Sequence, residues 1–147
     1  MSQADRTVGI TKMLLMLEDD RDRIERFDCV LGSVAIQLTY FRTAHDFIRA
    51  YESLTIVPKL ISLDHDLFVD HDNDPDPGDG RDVAKFLALH KPISPILIHS
   101  TNAIAADSML FTLQDAGWTV DRIAPIGDDW IESYWFPTAM NMIQSQS

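Results

Sequence analysis

Two hydrophobic periods alternate along this chain. Unbroken apolar runs at Met13-Leu14-Leu15-Met16-Leu17, Leu60-Ile61-Ser62-Leu63 and Ile96-Leu97-Ile98 read as strands buried on both faces of a parallel sheet. Between them apolar residues recur three and four positions apart, the spacing of one helical face. The pattern predicts a first strand over Lys12 to Leu17. A helix follows over Arg21 to Leu31, with Ile24, Phe27, Val30 and Leu31 on one side. Asp20 caps that helix and Gly32 ends it. A second strand, rich in β-branched and aromatic residues, is predicted over Val34 to Phe41. Thr43 caps a helix whose stripe is Phe47, Ile48, Tyr51 and Leu54. Pro58 breaks the chain before a central strand at Leu60 to Leu63, and a loop runs from Asp64 to Gly80. Then come a helix over Arg81 to Leu89, a strand over Pro95 to His99 and a helix over Ala103 to Ala116. A fifth strand over Trp118 to Ile123 and a closing helix over Trp130 to Ile143 complete the pattern. Such alternation predicts right-handed crossovers and an α/β fold of one domain, with its core from about residue 12 to 143. The five parallel strands are expected in the order 2-1-3-4-5, with helices on both faces of the sheet.

Each long apolar run ends in groups that bind metals or move protons. Leu17 runs into Glu18-Asp19-Asp20, Leu63 into Asp64-His65-Asp66, and Ile98 into His99-Ser100-Thr101-Asn102. In open α/β sheets the ligand crevice lies beyond the carboxyl ends of the strands. The expected order makes strands one and three neighbours, so Glu18, Asp19 and Asp64 converge. Crowded carboxylates repel, and a hard divalent cation, Mg²⁺ or Mn²⁺, resolves the conflict. Asp20 is better read as the helix cap. His65 and His99 flank the same crevice, where imidazole suits proton transfer near neutral pH. They could also join the carboxylates around Zn²⁺ or Mn²⁺, or serve only as structural hydrogen-bonding groups. Ser100, Thr101 and Asn102 can donate to phosphate oxygens, or cap the helix at Ala103.

Other features change this picture less. Asp72, Asp74 and Asp76 have the spacing of the first EF-hand ligands, but Pro77 and Val83 stand where that loop needs glycine and glutamate. The stretch from Asp70 to Gly80 is read instead as a lid or a solvated loop. The three tryptophans are read as packing residues, and Arg81 and Arg122 as surface residues able to clamp a phosphate. The net charge of −11 argues against general nucleic-acid binding but leaves room for a small phosphate ligand. Cys29 is the sole cysteine, so no intrachain disulfide forms. No apolar stretch is long enough to span a membrane, and Met1 to Thr11 is polar. A cytoplasmic protein is expected.

These motifs resemble the receiver domains of two-component response regulators. The acidic pair Glu18-Asp19, Asp64 after strand three, Ser100 after strand four and Pro125 after strand five match the receiver pattern, and Asp79-Gly80 is similar to the start of its third helix. Ala124 stands where receivers carry a lysine that pairs with the phosphoryl group. The departures, Leu63-Asp64-His65-Asp66, Gly80-Arg81-Asp82-Val83-Ala84 and His99-Ser100-Thr101-Asn102, resemble the cyclic-phosphate processing receiver-like family, from about Met13 to Ile143. The resemblance implies a flavodoxin-like, CheY-like three-layer sandwich and metal-assisted processing of cyclic phosphate esters or related nucleotide phosphates.

The leading expectation is a divalent-metal-dependent phosphoesterase. Glu18, Asp19 and Asp64 hold the metal; Asp64, His65 and His99 are catalytic; Ser100 and Asn102 bind a small phosphate-ester or nucleotide substrate. The alternative is a stand-alone receiver-like signalling or binding module with Asp64 as phosphoacceptor. A third reading is a non-catalytic metal or nucleotide sensor.

Overall fold

The computed structural model describes residues 12–146; the polar segment Met1 to Thr11 lies outside them. Five strands alternate with five α-helices. They are β1 (Met13–Leu17), α1 (Arg21–Gly32), β2 (Gln37–Phe41), α2 (Ala44–Glu52), β3 (Leu60–Leu63), α3 (Gly80–Ala88), β4 (Ile96–Ile98), α4 (Ala103–Asp115), β5 (Val120–Arg122) and α5 (Phe136–Gln144), the last preceded by a π-helical turn at Ile131–Trp135. The sheet order is β2-β1-β3-β4-β5, and every neighbouring pair is parallel. The expected fold class and strand order hold.

The two faces of the sheet carry separate cores, as period-two strands require. Leu15, Leu17, Ile61, Leu63, Ile96 and Ile98 pack on Phe47, Leu87, Met109 and Leu113, from α2, α3 and α4. Leu14, Met16, Leu60 and Leu97 pack on Phe27, Leu31, Trp130 and Trp135, from α1 and the closing segment. Residues of β3 and β4 are all buried, which is why these strands read as continuous apolar runs.

Capping follows the sequence closely. Asp20, Thr43 and Asn102 accept from the backbone three residues on, and Asp79 and Asp82 form a reciprocal box at the start of α3. Three elements differ from expectation. β2 starts at Gln37, not Val34, because Val34 and Ile36 both donate to Leu31 O in a tight turn in which Ala35 takes φ 58°. β5 is only three residues long; Trp118 turns inward and donates its Nε1–H to Leu87 O at 3.1 Å rather than joining the sheet. The closing helix opens with a wide turn at Ile131–Trp135. Pro137, in the first turn of α5, has no N–H to give the preceding turn.

Candidate functional site

Backbone pairing continues past the strand ends and fixes the acidic residues. Glu18 N donates to Phe41 O at 3.0 Å, and Asp64 N to Leu17 O at 3.1 Å. The loops therefore leave the sheet side by side. Glu18, Asp19 and Asp64 each present an oxygen within 4.8 Å of the others. Among the described residues this is the one group of three or more ligating side chains so placed.

The three carboxylates are held differently. Glu18 is fully buried. Its Oε2 accepts from the N–H groups of Asp19 and Asp20, both at 3.1 Å, and its Oε1 lies 3.1 Å from His99 Nε2. Burial pushes this carboxyl up, but the hydrogen bond and charge of His99, the Asp20 N–H and Arg23 outweigh it and hold it low. Asp19 Oδ2 accepts from Phe68 N at 2.6 Å. Burial, joined by the charge of Glu18, raises its carboxyl. Asp64 Oδ1 accepts from His65 N at 2.7 Å. Burial first, and then the charge of Glu18, push Asp64 up to about 8. Without a cation, then, the site keeps a proton on Asp64 near neutral pH, as crowded buried carboxylates do.

Gly80 closes the far wall. Its N–H donates to His65 O at 2.9 Å, and a Cβ there would lie 2.2 Å from Asp64 O and 2.8 Å from His65 Cα. Only glycine lets α3 approach the Asp64 loop so closely.

The two histidines are placed differently. His99 is fully buried behind Glu18. Its ring packs near Phe27 and Trp130, with centroids at 5.2 and 6.1 Å. Its Nδ1 lies 2.7 Å from Ser62 Oγ, and that oxygen accepts from Trp135 Nε1 at 3.0 Å. The Ser62 hydroxyl donates its one proton to Leu97 O at 3.0 Å, and each ring nitrogen of His99 is engaged, Nδ1 with Ser62 Oγ and Nε2 with Glu18. His65 sets Nδ1 2.6 Å from Asp66 Oδ1 and Nε2 3.6 Å from Asp79 Oδ2. That Nε2 is buried without a hydrogen-bond partner. Ser100 Oγ accepts from Asn102 N at 3.1 Å. Asn102 Oδ1 caps α4 through Ala105 N, while its Nδ2 lies 3.5 Å from Asp66 Oδ1. The structure thus brings Glu18, Asp19 and Asp64 together, and sets His65 and Asn102 beside Asp66 as a neighbouring group.

Sequence reasoning missed Arg23. Its Nη1 lies 3.7 Å from Glu18 Oε1 and 3.8 Å from Asp64 Oδ2. The signal was available: it stands on the first turn of a helix that starts directly after the acidic triplet. Ser62, the polar break in an apolar run, was likewise a sign of the buried contact with His99. Arg122 is spent on Asp107. The acidic loop is tied back to the domain: Asp70 pairs with Arg42 at 3.2 Å, Pro77 O accepts from Ala44 N at 2.8 Å, and Asp74 and Asp76 accept from nearby backbone N–H groups. A surface cavity of about 650 Å³ opens among Ser94, Pro95 and Thr119 at the amino ends of β4 and β5, away from this chemistry.

Residues 13–115 match the family of cyclic-phosphate processing receiver domains. The chain belongs to that family. No curated protein sequence matches it. The fold of this family member is shared with solved receiver structures. A sensor protein from Polaromonas sp. JS666 aligns at TM-score 0.65 and 17% identity, over 92% of this chain and 98% of that one. A CheY-like response regulator receiver domain protein from Methanospirillum hungatei JF-1 aligns at TM-score 0.64 and 14% identity, over 92% and 98%. The receiver domain of a sensor histidine kinase from Pseudomonas aeruginosa PAO1, with a magnesium ion coordinated in its active site cleft, aligns at TM-score 0.61 and 18% identity, over 90% and 98%. At such identities these neighbours speak to the fold. No helix among the described residues is long and apolar enough to cross a membrane.

Proposed function

We propose that this chain is a receiver-like module that binds a divalent cation and a small phosphate-bearing ligand, with Asp64 as phosphoacceptor. The observation that carries the reading is the convergence of the Glu18, Asp19 and Asp64 oxygens within 4.8 Å, where burial and then the charge of Glu18 push the Asp64 carboxyl up to about 8. The donor set is all oxygen, with no imidazole in it, which favours Mg²⁺ or Mn²⁺ over Zn²⁺. The magnesium of the Pseudomonas receiver is in keeping with that choice. Held by Glu18, Asp19 and Asp64, such a cation would supply positive charge to the carboxylates and to a phosphoryl oxygen. Asp64 then attacks phosphorus through a carboxylate oxygen. The bond from phosphorus to the donor's leaving oxygen breaks, and the leaving group departs with the electron pair. His65 N–H fixes the rotation of the Asp64 carboxylate. His99 orients Glu18 from behind and is a positioning residue. The single cysteine, Cys29, is free, in keeping with a reducing cytoplasm.

A second reading is favoured by the family description and by the unpartnered Nε2 of His65. It is hydrolysis of a cyclic phosphate or nucleotide phosphate ester. Water attacks phosphorus, one ester P–O bond opens, and His65 carries a proton between the attacking and leaving oxygens. Incubation with acetyl phosphate and Mg²⁺, read by intact mass and peptide mapping, separates the two. One phosphoryl group on Asp64, absent from Asp64→Asn, supports the phosphoacceptor. Turnover of a cyclic mono- or dinucleotide or a 2′,3′-cyclic phosphate, with no label on Asp64, overturns it in favour of the esterase.

A further inference from the structure

Arg23 stands at the mouth of the carboxylate cluster with its donors unspent. Its guanidinium is 3.7 Å from Glu18 Oε1 and 3.8 Å from Asp64 Oδ2, too far for a hydrogen bond to either. None of its five N–H donors reaches an acceptor among the described residues; only its backbone N–H does, on Asp20. The guanidinium is held instead by its position over the Trp130 ring, 5.3 Å from the centroid, and by the field of two carboxylates. Its side chain is 25% exposed, so one edge opens to solvent. Arg26, whose side chain is exposed to the same degree, spends its fork on Glu132 instead, at 2.9 and 3.2 Å. Arg42, the other arginine near the cluster, is committed to Asp70 and to Asp19 O.

The charges at the site explain what such an arginine can do. Three carboxylates and one guanidinium leave a net negative site. A divalent cation among the carboxylates neutralises it and removes their hold on Arg23. Trp130 still keeps the guanidinium at the rim, where its planar donor fork meets whatever anion the cation has drawn in. Guanidinium matches phosphate bidentately, and a stacked arginine loses less rotamer freedom on binding.

We propose that Arg23 is the anion-binding arm of this site: it takes the phosphoryl oxygens of the ligand once a divalent cation occupies Glu18, Asp19 and Asp64. The assignment rests on the reading of that cluster as a metal-dependent phosphate site.

Titration calorimetry with Mg²⁺ alone, and then with inorganic phosphate at saturating Mg²⁺, tests it on wild type, Arg23→Gln and Arg23→Lys. Arg23→Gln is expected to weaken phosphate binding at least tenfold while Mg²⁺ affinity stays level or rises a few-fold, since a cation that competes for the carboxylates is gone. Arg23→Lys is expected to keep the charge but not the fork, recovering only part of the loss. Phosphate affinity within twofold of wild type in Arg23→Gln overturns the proposal. So does a tenfold fall in Mg²⁺ affinity, which would make Arg23 an organiser of the carboxylates. If Arg23→Gln does not fold, Arg23→Lys decides: full wild-type phosphate affinity overturns the bidentate arm. Wild-type protein that binds no Mg²⁺ overturns the cluster reading and this proposal together, whereas wild-type binding unaffected by Arg23→Gln overturns this one alone.

Discussion

Asp64 works against the fold when no cation is bound. Burial, and then Glu18, raise its carboxyl from 3.8 to about 8, so folding favours the protonated form. A raised carboxyl contributes stability that is complete below the unfolded value and lost as pH climbs through the folded one. Glu18 is held low and behaves oppositely, losing its contribution as the solution turns acid. In chelator, stability is therefore expected to fall between about pH 5 and pH 8 through Asp64. Asp64→Asn should flatten that slope and gain about 1–3 kcal/mol at pH 8. Urea unfolding across this range checks it, and a mutant less stable than wild type at pH 8 would contradict the argument. His99 carries the other residue-scale expectation. A crevice acid or base could be removed at little structural cost, but here it is the partner of a fully buried carboxylate. His99→Leu is expected to cost about 3 kcal/mol, the scale of a buried charge losing its partner. A midpoint unchanged from wild type would return His99 to the crevice. The identity of these residues was plain in the chain; their burial was not, because it depends on Phe27, Trp130 and Trp135 arriving from distant segments.

Elements place the site through two local devices that the sequence did advertise. The apolar runs stop where the carboxylates begin, and Asp79-Gly80 opens α3 with a cap and a residue lacking Cβ. Gly80 matters beyond its helix, since it lets α3 touch the Asp64 carbonyl. Gly80→Ala is expected to destabilise by about 2 kcal/mol or more, the cost of forcing a methyl into closed backbone. It should also weaken Mg²⁺ binding, because the atoms it pushes belong to Asp64 and His65. A mutant with native stability and native Mg²⁺ affinity would show that the contact is dispensable. The elements that were misjudged share a cause. Val34 has strand propensity but sits in the turn that satisfies Leu31 O, and Trp118 has it too but finds its hydrogen bond on Leu87 O. Tertiary contacts overrode propensity at both places.

Across the whole molecule, a cation held by the cluster would couple its binding to stability. It joins the ends of β1 and β3, the two central neighbours of the sheet, so a cation there binds only the folded chain. Mg²⁺ at a hundredfold excess over its dissociation constant is expected to add about 2.7 kcal/mol, raising the melting midpoint by about 5–11 °C for a chain of this size. Asp64→Asn should lose most of that shift. A shift preserved in the mutant would move the cation elsewhere, the Asp70–Asp79 loop being the other acidic stretch. The sheet order was expected from the sequence as the likeliest doubly wound arrangement of five strands alternating with helices, and the fold adopts it.

The chain by itself determined which residues end each strand, since hydrophobic periodicity and capping are local and act within a few residues. It also determined that Glu18, Asp19 and Asp64 would share one end of the sheet, because a parallel α/β order leaves few alternatives. The tertiary structure alone decided which polar groups join the carboxylate cluster and which stand behind it. His99 was turned inward by aromatic packing, and Asn102 is spent on the cap of α4. Arg23 was brought over Trp130, more than a hundred residues away in the sequence. Those outcomes depend on the orientation of side chains across elements that meet only after folding, and no local period encodes that orientation.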